Sequence, residues 1–257
     1  MATNPKVLSS NGKVILITGA SSGLGAGMAR EFAALGYNLA LCARRLERLE
    51  QLKAELEQCY GITVAIQALD VNDYNQVFSV FREFAAQFGR LDRIIVNAGV
   101  GEGRRIGKGH FEINRRTAET NFIAALAQCE AAVEIFRKQN YGHLVTMSSM
   151  SAMRGLPKHL STYAASKAAL AHLTEGIRAE LIDTPIKVSA IFPGYIRTEL
   201  NEGAAKLPFE VSEKVGSKAL VKAIEKQPIK AYVPDWPWKP LGFLMRHLPL
   251  RLVNKLS

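Results

Sequence analysis

Thr18-Gly19-Ala20-Ser21-Ser22-Gly23-Leu24-Gly25 follows directly on the apolar run Val14-Ile15-Leu16-Ile17. The run is aliphatic without a polar break, the pattern of a strand buried on both faces of a parallel sheet. Met28-Ala29-Arg30-Glu31-Phe32-Ala33-Ala34-Leu35 then reads as a helix stopped by Gly36. The glycines at 19, 23 and 25 therefore fall in a strand-to-helix turn, where a missing Cβ frees the backbone and lets a phosphate come close. A helix N-terminus adds unpaired N–H groups and partial positive charge, which together suit a pyrophosphate. Glycine-rich packing turns are common; the strand before and the helix after point this one toward a ligand.

The same alternation continues along the chain. Strands are expected at 38–42, 62–66, 93–96, 144–147, 187–191 and 231–233, after the first at 14–17. Helices are expected at 46–58, from Asp73 to Gly89, from about 111 through Cys129, at 161–181 and at 211–226. Strand and helix in turn predict an α/β fold: one doubly wound, Rossmann-type parallel sheet of about seven strands, with helices on both faces. Residues 1–233 form that domain, and composition changes at Pro234, leaving 234–257 as a separate apolar, basic tail.

Composition narrows the function classes. With 33 basic against 23 acidic residues the chain carries a formal charge of +10, which attracts polyanions without choosing among them. No nucleic-acid motif and no interleaving of aromatic and basic residues occurs in the core, so nucleic acid is not expected as a partner. Cys42, Cys59 and Cys129 are widely spaced and odd in number, fitting neither a disulfide framework nor a metal site, and a reducing, cytoplasmic setting follows. No apolar stretch approaches the roughly 18 residues of a membrane span, and the N-terminal residues lack the apolar core of a secretory leader. The five histidines show no metal-ligand pairing, so no metal is expected.

Tyr163 and Lys167, at i and i+4, share one helix face. A phenol titrates near pH 10, and an adjacent ammonium stabilises the phenolate enough to make proton exchange useful near neutrality. With Thr18–Gly25, Asn97-Ala98-Gly99, Tyr163-Ala164-Ala165-Ser166-Lys167 and Pro193-Gly194 present in this order, the chain resembles the classical short-chain dehydrogenase/reductase family from about Lys13 to Val233. The resemblance implies an oxidoreductase that interconverts an alcohol with its ketone or aldehyde, using a nicotinamide cofactor. An isomerase or dehydratase on the same fold, or a non-catalytic nucleotide sensor, is the alternative.

By that resemblance Tyr163 exchanges the proton, Lys167 supports it and holds the ribose, and Ser149 steadies the substrate oxygen. Ser149 precedes Tyr163 by fourteen positions, one more than the family's usual spacing, and Ser148 and Ser151 compete for the role. Asn121 matches the asparagine that holds a water of the proton relay, although a helix-interior amide bonded to backbone fits the sequence as well. The cofactor set comprises Gly19, Ser21, Ser22, Gly23, Leu24, Gly25, Asp70 and Val71 at the adenine, Asn97, Ala98 and Gly99, with Tyr163 and Lys167, then Pro193, Gly194, Ile196 and Thr198 over the nicotinamide. Where an acid would read a ribose 2′-hydroxyl, the chain has Ala43-Arg44-Arg45, so NADP rather than NAD is the expected cofactor. The resemblance also implies pairing through the helices carrying Asn121 and Tyr163, as a homodimer or homotetramer.

The tail holds Trp236, Trp238, Phe243, Leu244, Leu250 and Leu252 with Lys239, Arg246 and Arg251 interleaved, and no acid follows Asp235. It suits a membrane surface, a lid over an apolar substrate cleft, or a subunit contact. Pro249 divides it into two short segments.

Overall fold

The computed structural model describes residues 11–256 apart from 202 and 204–206. The N-terminal residues 1–10, where a secretory leader would begin, and Ser257 of the tail lie outside the described residues. Seven strands form one all-parallel sheet: β1 (Val14–Thr18), β2 (Asn38–Ala43), β3 (Val64–Ala68), β4 (Arg93–Val96), β5 (Gly142–Met147), β6 (Ile186–Pro193) and β7 (Lys230–Val233). Their order across the sheet is β3-β2-β1-β4-β5-β6-β7. The chain therefore reverses its direction of travel between β1 and β4, the place where open α/β sheets leave a crevice at their C-terminal ends.

One layer holds α1 (Gly23–Ala34), α2 (Leu46–Tyr60) and α7 (Glu213–Glu225), whose apolar faces join Ile15, Ile17, Leu39 and Leu41 in a core. The other holds α3 (Tyr74–Phe88), the run α4 (Phe111–Ala118) to α5 (Ala124–Gln139), and α6 (Ser161–Glu180), packed on Leu16, Ile94 and Leu144. Burial on both sides explains why the strands read as unbroken apolar runs. Asp73 caps α3 by accepting from the Gln76 N–H at 3.1 Å. Between α4 and α5 the helix widens into one π turn, Glu119–Ile123.

β3 begins at Val64, two residues later than the sequence pattern predicts. At its start side chains take the backbone donors: Asn38 accepts from the Thr63 N–H at 2.9 Å and Glu57 from the Val64 N–H at 3.0 Å. The tail folds as α8 (Asp235–His247) and α9 (Leu250–Leu256), divided at Pro249.

At the far edge from the crevice, β4 and β5 share a buried polar pair. Arg93 Nε donates to His143 Nδ1 at 2.9 Å, so the proton of the neutral ring sits on Nε2 and is donated to Ser189 Oγ at 2.8 Å. Arg93 is balanced by Glu225 at 2.6 Å. Burial, reinforced by the Arg93 charge, pushes the His143 pKa down to about 3. The folded state thus binds this proton more weakly than the unfolded chain. The stability it contributes is complete above pH 6.5 and is lost as pH falls toward 3. Relative to His143→Gln, the wild type should lose roughly 2–3 kcal/mol between pH 7 and pH 4.5. Urea midpoints at the two pH values measure this; parallel curves would mean that His143 is charged in the fold.

Candidate functional site

The crevice between β1 and β4 is held by side chains from both strands. Thr18 Oγ1 accepts from the N–H groups of Asn97 and Ala98 at 3.0 and 3.1 Å, and Asn97 Nδ2 donates to the Thr18 carbonyl at 2.8 Å. Gly19 is left-handed (φ +65°), and a Cβ there would lie 2.9 Å from Ala98 Cα. A Cβ on Gly25 would meet the Gly19 carbonyl oxygen at 2.3 Å. Gly23 is also left-handed (φ +51°) and sits against the side chain of Thr198. Two of the three glycines are thus required by the chain's own close approach, as well as by any ligand. Leu24 anchors the turn in the core beside α1.

Arg45 reaches over this turn. Its Nη2 donates to Ser22 Oγ at 2.6 Å and its Nε to Ser21 Oγ at 3.3 Å. The same guanidinium pairs with Glu199 at 2.8 Å, which also takes Arg48 at 2.7 Å. Hydrogen bonds from Arg45 and Arg48 hold the Glu199 carboxyl down at about 2, so it is ionised throughout the neutral range. Arg44, one residue earlier, is exposed, and no hydrogen bond or ion pair engages it among the described residues. At the end of β3, Asp70 accepts from the backbone and side chain of Asn72 at 3.0 and 3.1 Å, and Val71 is buried.

Ser148, Ser149, Tyr163 and Lys167 converge where β5 ends. Ser148 is buried and donates to the Lys167 carbonyl at 2.8 Å, so its hydroxyl is committed to backbone. Ser149 points the other way: its Oγ accepts from the Ser151 N–H at 3.1 Å and lies beside the Tyr163 phenol, whose charged form it favours. In the loop before Tyr163, Lys158 is left-handed (φ +62°). Lys167 Nζ donates to the Met147 carbonyl at 2.9 Å and lies 6.0 Å from the centre of the Tyr163 ring. Burial lowers the Lys167 pKa to about 8, which leaves the ammonium charged at neutral pH.

The Tyr163 pKa is raised rather than lowered. Burial dominates, the hydrogen bond with Ser149 opposes it, and Tyr195 adds to it. The sequence expectation that the ammonium depresses this phenol is not met: Lys167 is turned to the Met147 carbonyl.

Asn121, in the π turn, is fully buried and clasps one residue: its Oδ1 accepts from the Val100 N–H at 2.8 Å and its Nδ2 donates to the Val100 carbonyl at 2.9 Å. Nδ2 also lies 3.4 Å from Ser166 Oγ. A Cβ on Gly99 would stand 3.0 Å from Asn121 Oδ1 and 3.4 Å from Lys167 Nζ. The space above Gly99 is thus a cradle that any side chain would fill, bordered by an ammonium. A ribose hydroxyl matches that chemistry, and the N–H-rich glycine turn with Arg44 and Arg45 matches phosphates. The residues present fit a dinucleotide. Among the described residues, no three His, Cys, Asp or Glu side chains gather as a metal site.

After β6, Ile196 is buried and bridges to Val211, and the Thr198 N–H donates to Asn201 Oδ1 at 2.7 Å. Trp238, from the tail, lies flat on Gly194, where a Cβ would be only 2.1 Å from the indole. Tyr195 meets it edge-on at 5.1 Å and Phe209 at 6.3 Å. Sequence reasoning missed Glu199, Ser166 and this use of Trp238. Glu199 lacks a local motif, Ser166 lies inside the Tyr163–Lys167 motif with nothing in its spacing to mark its contact with Asn121, and Trp238 needs a contact between distant segments.

A family model described as short chain dehydrogenase matches residues 13–207. An uncharacterized oxidoreductase of Mycobacterium tuberculosis is 51% identical over 244 residues, covering 95% of this chain and 96% of its own. The NADP-dependent 3-hydroxy acid dehydrogenase of Schizosaccharomyces pombe is 33% identical over 193 residues, 74% of each protein. In three dimensions the fold matches a short-chain dehydrogenase from Sphingobium yanoikuyae solved in complex with NADPH: TM-score 0.79, 28% identity, 92% of this chain and 96% of that one. The chain belongs to the short-chain dehydrogenase/reductase family, in its classical branch. It is an oxidoreductase of that family.

Trp238 is buried and Trp236 exposed, so the pair reports separately on the two sides of the tail. Gly194→Ala should lever the indole of Trp238 off the segment after β6, seen as a red shift of tryptophan emission and greater quenching by iodide. An unchanged spectrum would mean that Gly194 and Trp238 are not in contact.

Proposed function

We propose that this chain is an NADP-dependent oxidoreductase interconverting an alcohol with its ketone or aldehyde, on an apolar substrate. The observation that carries the reading is the convergence of Ser149, Tyr163 and Lys167 beside the Gly99 cradle. When bound, the nicotinamide supplies or accepts the hydride. In the reducing direction Tyr163, a neutral phenol at neutral pH, gives its proton to the substrate oxygen. Ser149 holds that oxygen by a hydrogen bond as charge develops on it. The Lys167 ammonium stabilises the phenolate left behind, and Asn121 keeps the backbone at Val100 in place behind it.

Asn97, Ala98 and Gly99 border the ribose in this reading, Asp70 and Val71 the adenine, and Pro193, Gly194, Ile196 and Thr198 the nicotinamide. Arg44 and Arg45 take the 2′-phosphate. The NADPH complex of the Sphingobium relative and the NADP dependence of the Schizosaccharomyces one support this choice. Trp238, Tyr195, Met150 and Met153 give the substrate end an apolar wall, which supports a hydrophobic substrate. Assembly as a homodimer or homotetramer through α5 and α6 belongs to the same reading. So does a cytoplasmic setting: the three cysteines are unpaired, and burial pushes the Cys129 thiol up to about 12.

Tyr163→Phe should cut kcat by about 10²–10⁴-fold, the usual worth of a positioned acid–base group, with NADPH affinity nearly unchanged. A variant keeping half the wild-type kcat would overturn the assignment.

The cofactor assignment is tested by binding. Arg44→Ala should weaken NADPH by about tenfold or more, since charge-assisted bonds are worth roughly 1.5–3 kcal/mol, and leave NADH unaffected. Glu199→Gln should tighten NADPH, because the phosphate then meets Arg45 and Arg48 without displacing a carboxylate. Titration calorimetry with both nucleotides decides; equal changes for NADPH and NADH would remove both residues from 2′-phosphate recognition.

A further inference from the structure

Helix α8 is apolar on two sides. Trp238, Leu241, Gly242 and Met245, at helical spacing, face the protein, where Trp238 is 5% exposed and Gly242 rests against Met150 and Tyr232. Trp236, Lys239, Pro240, Phe243 and Leu244 form the opposite stripe. There Trp236 is 78% and Phe243 71% exposed. A kink at Trp236 (φ −99°, ψ 133°) separates the two tryptophans, turning one in and one out. In α9 the arrangement recurs on a smaller scale: Val253 is buried with Leu156 and Ala164, while Leu250 and Leu252 are exposed. A surface helix normally buries its one apolar stripe and presents polar residues outward, so the outward stripe calls for a partner.

Charge says which partner. Lys239, Arg246 and Arg251 are exposed among these apolar side chains, and no acidic residue occurs from Trp236 to Ser257. Lys239 and Arg251 make no ion pair among the described residues. A second copy seated on this face about a twofold axis would set one acid-free, basic tail against another. A bilayer rich in anionic headgroups offers opposite charge at the level of the cations and hydrocarbon at the level of Trp236 and Phe243. No helix among the described residues is long and apolar enough to cross a membrane, and α8 with its 13 residues fits the plane of the interface.

We propose that the outward faces of α8 and α9 dock this protein on the surface of an anionic bilayer, with Trp236, Phe243 and Leu250 in the headgroup–acyl boundary and Lys239 and Arg251 on the headgroups; Arg246 turns inward, its Nη2 donating to Met153 Sδ at 3.3 Å. The docking is independent of catalysis, and its test uses neither cofactor nor substrate, so it stands or falls apart from the proposed oxidoreductase reaction.

The full chain is mixed with vesicles of phosphatidylglycerol and phosphatidylcholine, and separately with phosphatidylcholine alone, at low and at physiological salt. Co-sedimentation with the anionic vesicles, weakened by salt and accompanied by a blue shift of Trp236 emission, is the expected result. Phe243→Ser with Leu250→Ser, and separately Lys239→Glu with Arg251→Glu, should each lower binding at least tenfold. The emission of the buried Trp238 checks that each variant keeps its tail folded. A chain that stays in the supernatant with both vesicle types overturns the proposal. So does binding unchanged in both variants, or a monomer–oligomer shift in Phe243→Ser without any vesicle binding, which would make the face a subunit contact.

Discussion

Neighbouring strands whose connections leave on opposite faces of a sheet must part at their ends, and something has to hold them where the ladder stops. Here the Thr18 hydroxyl and the Asn97 amide do so, closing β1 onto β4 with three hydrogen bonds of 2.8–3.1 Å. The seam fixes Gly19 against Ala98, and through Ala98 it fixes Gly99. Gly99 in turn sets how near Asn121 and Lys167 stand. The glycine turn after β1 and the cluster of Ser149, Tyr163 and Lys167, which lie on different elements, are thereby placed relative to one another by one hydroxyl and one amide.

Lys167 shows what the arrangement costs. Its buried ammonium, hydrogen-bonded to the Met147 carbonyl, is held in a state that burial disfavours. Ser148 commits its hydroxyl to the carbonyl of that same lysine, fixing the helix rather than the reaction. Two adjacent serines thus divide the work: one orients α6, and the other faces the phenol.

Much of this is legible in the sequence. The glycine turn, the i, i+4 spacing of Tyr163 and Lys167 and the unbroken aliphatic strands are local patterns, and local periodicity is what a sequence displays directly. Sequence alone does not separate Ser149 from Ser148, because an extended chain alternates its side chains and only the register of the strand end tells which way each points. Asn121 is ambiguous for a related reason: its amide bonds to the Val100 backbone, reached by folding and not by helical spacing. Glu199 on Arg45 and Trp238 on Gly194 join segments far apart in the chain, with no periodic signature at either end. The direction of the Tyr163 shift runs against the sequence expectation, since spacing reveals that a lysine is near but not that a carbonyl already engages it.

The π turn at Glu119–Ile123 can be viewed as a matter of phase. Each residue added to an α-helix rotates the remainder of the helix by about 100°. A wider turn therefore changes the angle between the face of α4 and the face of α5 without breaking the rod. Upstream, Asn114 and Thr117 are the buried positions; downstream they are Ala124, Ala125, Gln128 and Cys129. Shortening the segment by one residue, into a plain helix, would keep its hydrogen bonds while swinging α5's alanine-rich side away from α3 and β5, or else swinging Asn121 away from Val100. The bulge lets one continuous rod satisfy both a site and a core whose angular demands differ.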